Sequence, residues 1–193
     1  MRVFITRKIF PEALMQLEKQ GIDYEINSGP PLNKQELMEK IKDTDELICL
    51  LSDRIDRKVL EAGPKLKIVA NVAAGYDNID VAAATERGIM VTNTPDVLTE
   101  ATADLTFGLL LAAARRIVEG DKITREGGFH GWELDFLLGT DVHHKTLGIV
   151  GLGRIGQAVA RRARGFSMQV LYYNRSRKPD LERELGVRFA EFD

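Results

Sequence analysis

Short apolar runs and longer amphipathic runs alternate along most of the chain. Over residues 1–97 the short runs are rich in aliphatic and β-branched residues, and the runs between them repeat apolar residues with helical spacing. Strands that are separated by helices form parallel sheets through right-handed crossovers. The pattern therefore predicts one doubly wound α/β domain. The predicted strands are "VFIT", "IDYEI", "LICLL", "KIVANVA" and "IMVTN".

The ends of two helices in this domain carry local signals. Pro11 stands at a favourable first helical position, and Gly21 is a stop signal for the same helix. Asn33 and Glu36 have the spacing of a capping box, which predicts a helix start after Asn33.

The chain changes character after Pro95. The run "TEATADLTFGLLLAAARRIVEG" predicts one long, mostly buried helix over residues 99–120, and the glycines that follow it indicate a loop. Residues 94–99, "TPDVLT", are a candidate hinge strand before this helix. The predicted apolar face of the helix includes Leu105, Leu109, Ala112 and Ala113.

A new β-α-β pattern begins at about Thr146. It predicts strands at 146–150 and 169–173, and a third that starts at Val187. The predicted helices between them span residues 154–164 and 180–185. A dinucleotide-binding fold contains two mononucleotide halves, and this pattern supplies only the first. Residues 98–193 are therefore expected to be an incomplete Rossmann domain, and the chain a fragment.

The strand at 146–150 runs into "GLGRIG", which places Gly151, Gly153 and Gly156 in the spacing G-x-G-x-x-G. In a strand-turn-helix context the first glycine permits the tight turn, the second lets the backbone approach a pyrophosphate, and the third allows close helix–strand packing. The free N–H groups at the helix start attract phosphates. The alternative is a glycine-rich turn without a ligand.

A second candidate site lies in "VAAGYDNID", residues 72–80, between a predicted strand and helix. Ala73, Ala74 and Gly75 are small, so their backbone can approach a ligand and present N–H groups to an anion. The alternative is a strand-end loop whose helix is capped by Asn78 or Asp80. The local sequence leaves both interpretations open.

These motifs, taken in order, resemble the D-isomer-specific 2-hydroxyacid dehydrogenases, and within them the glyoxylate/hydroxypyruvate reductase branch. The resemblance covers the whole chain, through "VANVAAGYDNIDVAAATERGIMVTNTPDVLTEATADLTFGLLLAAAR", "KTLGIVGLGRIGQAVARRARGF" and "LYYNRSRK". It implies a flavodoxin-like substrate domain at 1–97 and the first half of an NAD(P)-binding Rossmann domain at 98–193. The expected activity is reduction of a small 2-oxo acid to the 2-hydroxy acid.

The resemblance also implies roles for individual residues. The backbone of Ala74 and Gly75 would hold the substrate carboxylate, with Leu51 and Ser52 in the same cleft. Thr102 would lie near the nicotinamide. The other expected cofactor-binding residues are Gly151, Leu152, Gly153, Arg154, Ile155 and Gly156 at the pyrophosphate, and Asn174, Arg175 and Ser176 at the adenosine end.

The family's catalytic arginine, glutamate and histidine lie later in the sequence, so no catalytic residue is assigned in this chain. His130, His143 and His144 all precede the glycine turn and lie in the wrong region for the acid–base histidine. An alternative function keeps the fold without catalysis: some relatives are dinucleotide-sensing binding proteins.

The cofactor preference depends on "NRSRK", residues 174–178, where dinucleotide folds usually carry an acidic residue that binds the ribose. Asn174 removes the repulsion between a carboxylate and a 2′-phosphate. Arg175 and Arg177 add permanently charged planar donors that suit phosphate. NADP(H) is therefore the favoured cofactor, with NAD(H) possible. The alternative is a basic surface loop paired with Glu182 and Glu184.

Composition excludes several other classes. The chain of 193 residues is 44% hydrophobic and 29% charged, as ordinary globular proteins are. A net charge of −2 argues against a nucleic-acid binder. The single cysteine, Cys49, sits in an apolar run, which indicates a buried free thiol.

No signal-peptide or membrane-spanning pattern occurs, so a cytoplasmic protein is expected. No metal site is expected either, because His143 and His144 would point to opposite faces of an extended strand. The resemblance implies a homodimer in the complete protein, with the helix at 99–119 as a contributor.

Overall fold

The computed structural model describes residues 1–192, which form two compact units. The first is Met1–Val97 and the second begins at Leu98. Each unit contains its own parallel sheet, with five strands in the first and three in the second. None of the helices in the described range combines the length and apolar character that a transmembrane helix needs.

The first unit has the strand order β2-β1-β3-β4-β5. This is the flavodoxin-like order, in which the switch point between β1 and β3 creates a crevice at the carboxyl ends of the strands. The predicted doubly wound domain is confirmed. Its elements are β1 Arg2–Ile5, α1 Pro11–Lys19, β2 Asp23–Ile26, α2 Lys34–Lys40, β3 Glu46–Leu50, α3 Arg57–Ala62, β4 Ile68–Val72, α4 Val81–Glu86 and β5 Met90–Thr92.

The local signals explain where these helices begin and end. Pro11 occupies the first turn of α1, and Gly21 takes the left-handed conformation after it. Both halves of the capping box between Asn33 and Glu36 are present. The carboxylate of Asp80 accepts the Ala83 N–H at 2.9 Å and so caps α4. A core of aliphatic side chains from the strands and helices, with Leu47, Ile55 and Val69 fully buried, holds the sheet and helices together.

The second unit has the strand order β6-β7-β8, all parallel, with Val150 of β6 opposite Tyr173 of β7. This is the first half of the Rossmann strand order 3-2-1-4-5-6. The predicted β-α-β elements are confirmed. The elements of the unit are α5 Thr99–Ala114, α6 Ile117–Arg125, β6 Thr146–Val150, α7 Arg154–Ala163, β7 Gln169–Tyr173, α8 Pro179–Leu185 and β8 Arg188–Phe189.

Helix α5 packs against α7 in the core of this unit. Phe107 of α5 stacks on Phe166, with ring centroids 5.4 Å apart. Arg162 of α7 reaches back to α5, where its Nε donates to Asp104 Oδ1 at 2.7 Å. The apolar stripe of α7, which includes Ala158 and Val159, completes the contact.

The prediction of one continuous helix over residues 99–120 is wrong. Arg116 adopts the left-handed conformation with φ of 55°, which ends α5 at Ala114 and starts α6 at Ile117. A residue in that conformation interrupts the i to i−4 hydrogen-bond ladder. Residues 121–125, expected to be loop, complete α6 instead.

The predicted buried face of this helix is also wrong. Leu105 and Leu109 are each 62% exposed, whereas Ala103 and Phe107 form the buried face of α5. Because α5 is apolar around most of its circumference, the spacing of apolar residues does not select one face.

Two shorter segments differ from expectation as well. Residues 94–99 contain turns rather than a strand, with Asp96 at φ of 70°. His144, with φ of 59°, lies before β6 and not on an extended strand, and its ring is 5.4 Å from that of His143. The expectation that the two histidine side chains point to opposite faces of a strand is therefore wrong. Among residues 1–192 no group of three or more His, Cys, Asp or Glu is arranged to hold a metal ion.

Candidate functional site

The glycine turn connects β6 to α7. Gly151 has φ of 101°, which other residues rarely adopt, and its N–H donates to the Tyr173 carbonyl at 2.9 Å. A Cβ on Gly156 would lie 2.2 Å from the carbonyl oxygen of Gly151, so only glycine fits there. A Cβ on Gly153 would meet no atom within 4 Å. The fold therefore requires the first and third glycines, whereas at Gly153 it leaves room for a side chain.

The middle of the turn is anchored through Leu152. Its backbone N–H donates to Asn174 Oδ1 at 2.8 Å, and its carbonyl accepts from Lys178 Nζ at 3.0 Å. Its side chain is fully buried. The first backbone bond of α7 runs from Gln157 N–H to the Gly153 carbonyl at 2.9 Å. The structure thus brings the expected pyrophosphate residues and Asn174 to the carboxyl ends of β6 and β7.

The segment after β7 contains one paired and one unpaired arginine. Arg177 binds Glu182 with two hydrogen bonds, Nε to Oε1 at 2.8 Å and Nη2 to Oε2 at 2.7 Å. Arg175 is exposed and makes no hydrogen bond or ion pair within residues 1–192. The alternative of a basic surface loop paired with acidic residues therefore holds for Arg177, whereas the side chain of Arg175 is available to a ligand.

Glu182 holds this segment through a second contact. The Tyr172 hydroxyl donates to Glu182 Oε1 at 2.8 Å and accepts the Lys178 N–H at 2.8 Å. The hydrogen bonds from Arg177 and then Tyr172 lower the pKa of Glu182 to about 2. The carboxylate is therefore ionised at neutral pH and fixes the chain on both sides of Ser176.

The other expected site lies in the first unit, where Ala74 and Gly75 follow β4 and Leu51 and Ser52 follow β3. Gly75, Leu51 and Ser52 are exposed, and Ala74 is half-buried. The carboxyl ends of β3 and β4 lie beside the switch point of the sheet, where open α/β sheets bind their ligands. These four residues therefore lie at the carboxyl ends of β3 and β4.

A hydrogen-bond network joins the two loops, and the sequence did not reveal it. The amide of Asn78 donates to the Asp53 carbonyl at 2.9 Å and to the Leu50 carbonyl at 3.2 Å. The buried carboxylate of Asp53 accepts the Leu50 N–H at 2.9 Å and the Thr6 hydroxyl. The sequence offers Asn78 only as a candidate helix cap, whereas Asp80 caps α4.

The remaining candidates have simple environments. Thr102 lies half-buried in the first turn of α5, and its carbonyl accepts the Thr106 hydroxyl at 2.7 Å. His130, like His143 and His144, is exposed. Cys49 is a buried free thiol, as expected, and burial raises its pKa to about 12, so it is not a nucleophile.

The two sheets and the glycine turn place the chain in the class of α/β proteins that contain a Rossmann-type βαβ unit. A sequence profile described as "D-isomer specific 2-hydroxyacid dehydrogenase, catalytic domain" matches residues 3–184. The chain belongs to this family, and the expected resemblance is confirmed.

Relatives of known name or structure agree with this assignment. The glyoxylate reductase of Thermococcus kodakarensis is 53% identical over 197 residues, an alignment that covers 100% of this chain and 59% of that protein. The crystal structure of the TT0316 protein from Thermus thermophilus superposes with a TM-score of 0.89 at 47% identity, covering 98% of this chain and 60% of the other.

A third comparison is with a protein from Polaromonas sp. JS6 66 that is assigned to the D-isomer specific 2-hydroxyacid dehydrogenases and described as NAD-binding. It is 36% identical with a TM-score of 0.84, covering 98% of this chain and 59% of the other. The chain thus spans about three fifths of the length of each of these relatives.

Proposed function

We propose that the protein is an NAD(P)H-dependent reductase that converts a small 2-oxo acid, of the glyoxylate or hydroxypyruvate kind, to the 2-hydroxy acid. In this proposal residues 1–97 form the substrate domain and residues 98–193 the first part of the dinucleotide domain. The observation that supports it most is the open space around Gly153 in the turn after β6. The fold tolerates a side chain there, so the glycine is explained by the close approach of a pyrophosphate.

The dinucleotide would lie across the carboxyl ends of β6 and β7. The N–H groups at the start of α7 would bind the pyrophosphate, with Leu152 and Asn174 holding the turn in place. Arg175 would bind the adenosine end. When bound, the nicotinamide supplies a hydride to the carbonyl carbon of the substrate.

NADP(H) is the favoured cofactor and NAD(H) is possible. A carboxylate at the end of β7 would repel a 2′-phosphate, whereas Asn174 carries no charge. Arg175 is exposed and unpaired within the described part of the chain, so it adds a donor for phosphate without breaking another contact. Arg177 is held by Glu182 and contributes less.

The substrate would be held by its carboxylate on the backbone N–H groups of Ala74 and Gly75. Leu51 and Ser52 would line the same cleft, and Thr102 would lie near the nicotinamide. No acid–base residue is assigned in this chain. We place the arginine, glutamate and histidine that family members use in the part of the protein that the chain does not cover.

The complete protein is proposed to be a homodimer. The exposed Leu105 and Leu109 of α5 offer an apolar surface for such an interface. Sedimentation of the complete protein, compared with a Leu105→Glu/Leu109→Glu variant, tests this directly. A variant that sediments as a monomer supports the interface, and an unchanged dimer rejects it.

The test of the activity is an assay of the complete protein with NADPH and glyoxylate. Glyoxylate-dependent oxidation of NADPH supports the reductase. The alternative, a dinucleotide-sensing protein without catalysis, would bind NADPH at the same turn with no turnover of any 2-oxo acid.

A further inference from the structure

The loop Ala73–Gly75 is held by three hydrogen bonds to its carbonyl oxygens. The Ala73 carbonyl accepts the Thr94 N–H at 2.8 Å. The Ala74 carbonyl accepts Nδ2 of Asn93 at 2.7 Å, and the Gly75 carbonyl accepts Nδ2 of Asn71 at 2.9 Å. These hydrogen bonds to the carbonyl oxygens therefore fix the orientation of three consecutive peptide groups.

The orientation of a carbonyl fixes the direction of the N–H in the same peptide group. A trans peptide is planar, and its C=O and N–H point in opposite directions. Anchoring these carbonyls inward therefore turns the N–H groups of Ala74, Gly75 and Tyr76 away from the sheet. These three N–H groups donate to no other group in residues 1–192. Successive N–H groups that face one side of a turn make a concave site for an anion.

Two of the three anchors are asparagine side chains from neighbouring strands. Asn71 lies on β4, and Asn93 directly follows β5, which pairs with β4. Asn71 is 2% exposed, and its Nδ2 also donates to Asn78 Oδ1 at 2.9 Å. Its Oδ1 also accepts from Cys49 Sγ at 3.4 Å. One N–H of the Asn71 amide therefore donates to Asn78, and the other donates to the Gly75 carbonyl.

We propose that Asn71 and Asn93 are positioning residues that aim the N–H groups of the Ala74–Tyr76 segment at the carboxylate of the substrate. This inference rests on the proposed reductase function. It names the residues that would give the protein its affinity for the carboxylate of the substrate. Neither asparagine touches the substrate. Each acts through the peptide group whose carbonyl it holds, so its loss weakens carboxylate binding and leaves the dinucleotide site unchanged.

Asn93→Ala in the complete protein is the test, because Asn93 is half-buried and its removal leaves the core intact. The probe is oxalate, a two-carbon dicarboxylate, titrated calorimetrically into the protein saturated with NADPH. The dissociation constant for oxalate and the KM for glyoxylate should both rise by roughly 10- to 100-fold, the range for a hydrogen bond to a charged group. The kcat should stay within about two-fold, because a carboxylate contact made equally in the ground state and the transition state changes KM alone. The dissociation constant for NADPH should also stay within about two-fold, because the proposed dinucleotide site does not include this loop.

Asn33→Ala is the matched control, because Asn33 is also a structural asparagine of the first unit but caps α2 far along the chain from this loop. It should lower Tm and leave the KM for glyoxylate unchanged. If Asn93→Ala does not fold, Asn93→Leu keeps the side-chain volume without the donor and is judged by the same ratio of KM to kcat.

The outcomes separate the two proposals. If wild-type protein reduces glyoxylate and a folded Asn93 variant keeps the wild-type KM and oxalate affinity, the positioning role is wrong and the reductase proposal stands. Wild-type protein that neither binds oxalate nor reduces glyoxylate overturns both.

Discussion

The side chain of Asn174 accepts the backbone N–H of Leu152 at 2.8 Å, which joins the end of β7 to the centre of the glycine turn. An aspartate at this position has an oxygen in the same place and would accept the same N–H. The amide and the carboxylate are thus equivalent for the fold and differ in charge. We therefore propose that residue 174 sets the cofactor preference without changing the turn.

Asn174→Asp should shift the cofactor preference from NADPH toward NADH. The carboxylate keeps the bond to Leu152 but repels a 2′-phosphate, and a loss of about 1–2 kcal/mol for NADPH is expected from a like charge at short range in a partly exposed site. Dissociation constants for both cofactors measure the shift. Asn174→Ala is the control and should weaken both, because the turn loses its anchor. An unchanged ratio in Asn174→Asp would reject this role.

Arg175→Ala should weaken NADPH by about 1.5–3 kcal/mol, the range for hydrogen bonds to charged groups, and barely affect NADH. Arg177→Ala is the matched control, since Arg177 is already paired with Glu182 and should have the smaller effect. Fluorescence titration of the complete protein with each cofactor measures both. Equal losses for NADPH and NADH in Arg175→Ala would mean that the 2′-phosphate is not its partner.

Gly153→Ala should lower cofactor affinity, whereas Gly156→Ala should lower the stability of the fold. The new Cβ at Gly156 would lie 2.2 Å from the Gly151 carbonyl, so Gly156→Ala should lower Tm. The space around Gly153 is open, so Gly153→Ala should keep Tm and lose cofactor affinity. Thermal unfolding with and without NADPH distinguishes them. Wild-type NADPH affinity in Gly153→Ala would remove the main support for the dinucleotide site.

Glu182 should make stability depend on pH in acid. The ordinary pKa of its carboxyl is 4.5, and the contacts of the folded state lower it to about 2. Its stabilising effect is therefore complete above about 4.5 and is lost as the pH falls toward 2. Glu182→Gln should show a smaller fall of Tm across this window than wild type. Parallel curves for the two proteins would contradict the assigned contacts.

Much of the fold follows from local patterns in the sequence. The bounds of β6 and β7 match their predicted ranges because each strand is a short apolar run that ends at a turn signal. The break at Arg116 could not be predicted, since an arginine in the left-handed conformation has no local signal. The exposure of Leu105 likewise depends on which side of α5 meets α7.

The candidate site could be predicted only in part. The glycines and the small residues near Ala74 are contiguous motifs, so the sequence shows them. The bond from Asn93 to the Ala74 carbonyl joins residues that are adjacent only because β4 pairs with β5. The sequence left open whether the basic residues after β7 bind a phosphate or pair with acidic residues nearby. The structure shows that Arg177 pairs with Glu182 and that Arg175 does not.

The most direct test of the central claim is the glyoxylate-dependent loss of NADPH absorbance, measured in parallel for the complete protein and for the 193-residue chain alone. The account predicts turnover by the complete protein and none by the chain alone, because the acid–base residues are placed outside it. NADPH binding by the complete protein without turnover of any 2-oxo acid would contradict the reductase. Turnover by the chain alone would contradict the placement of its catalytic residues.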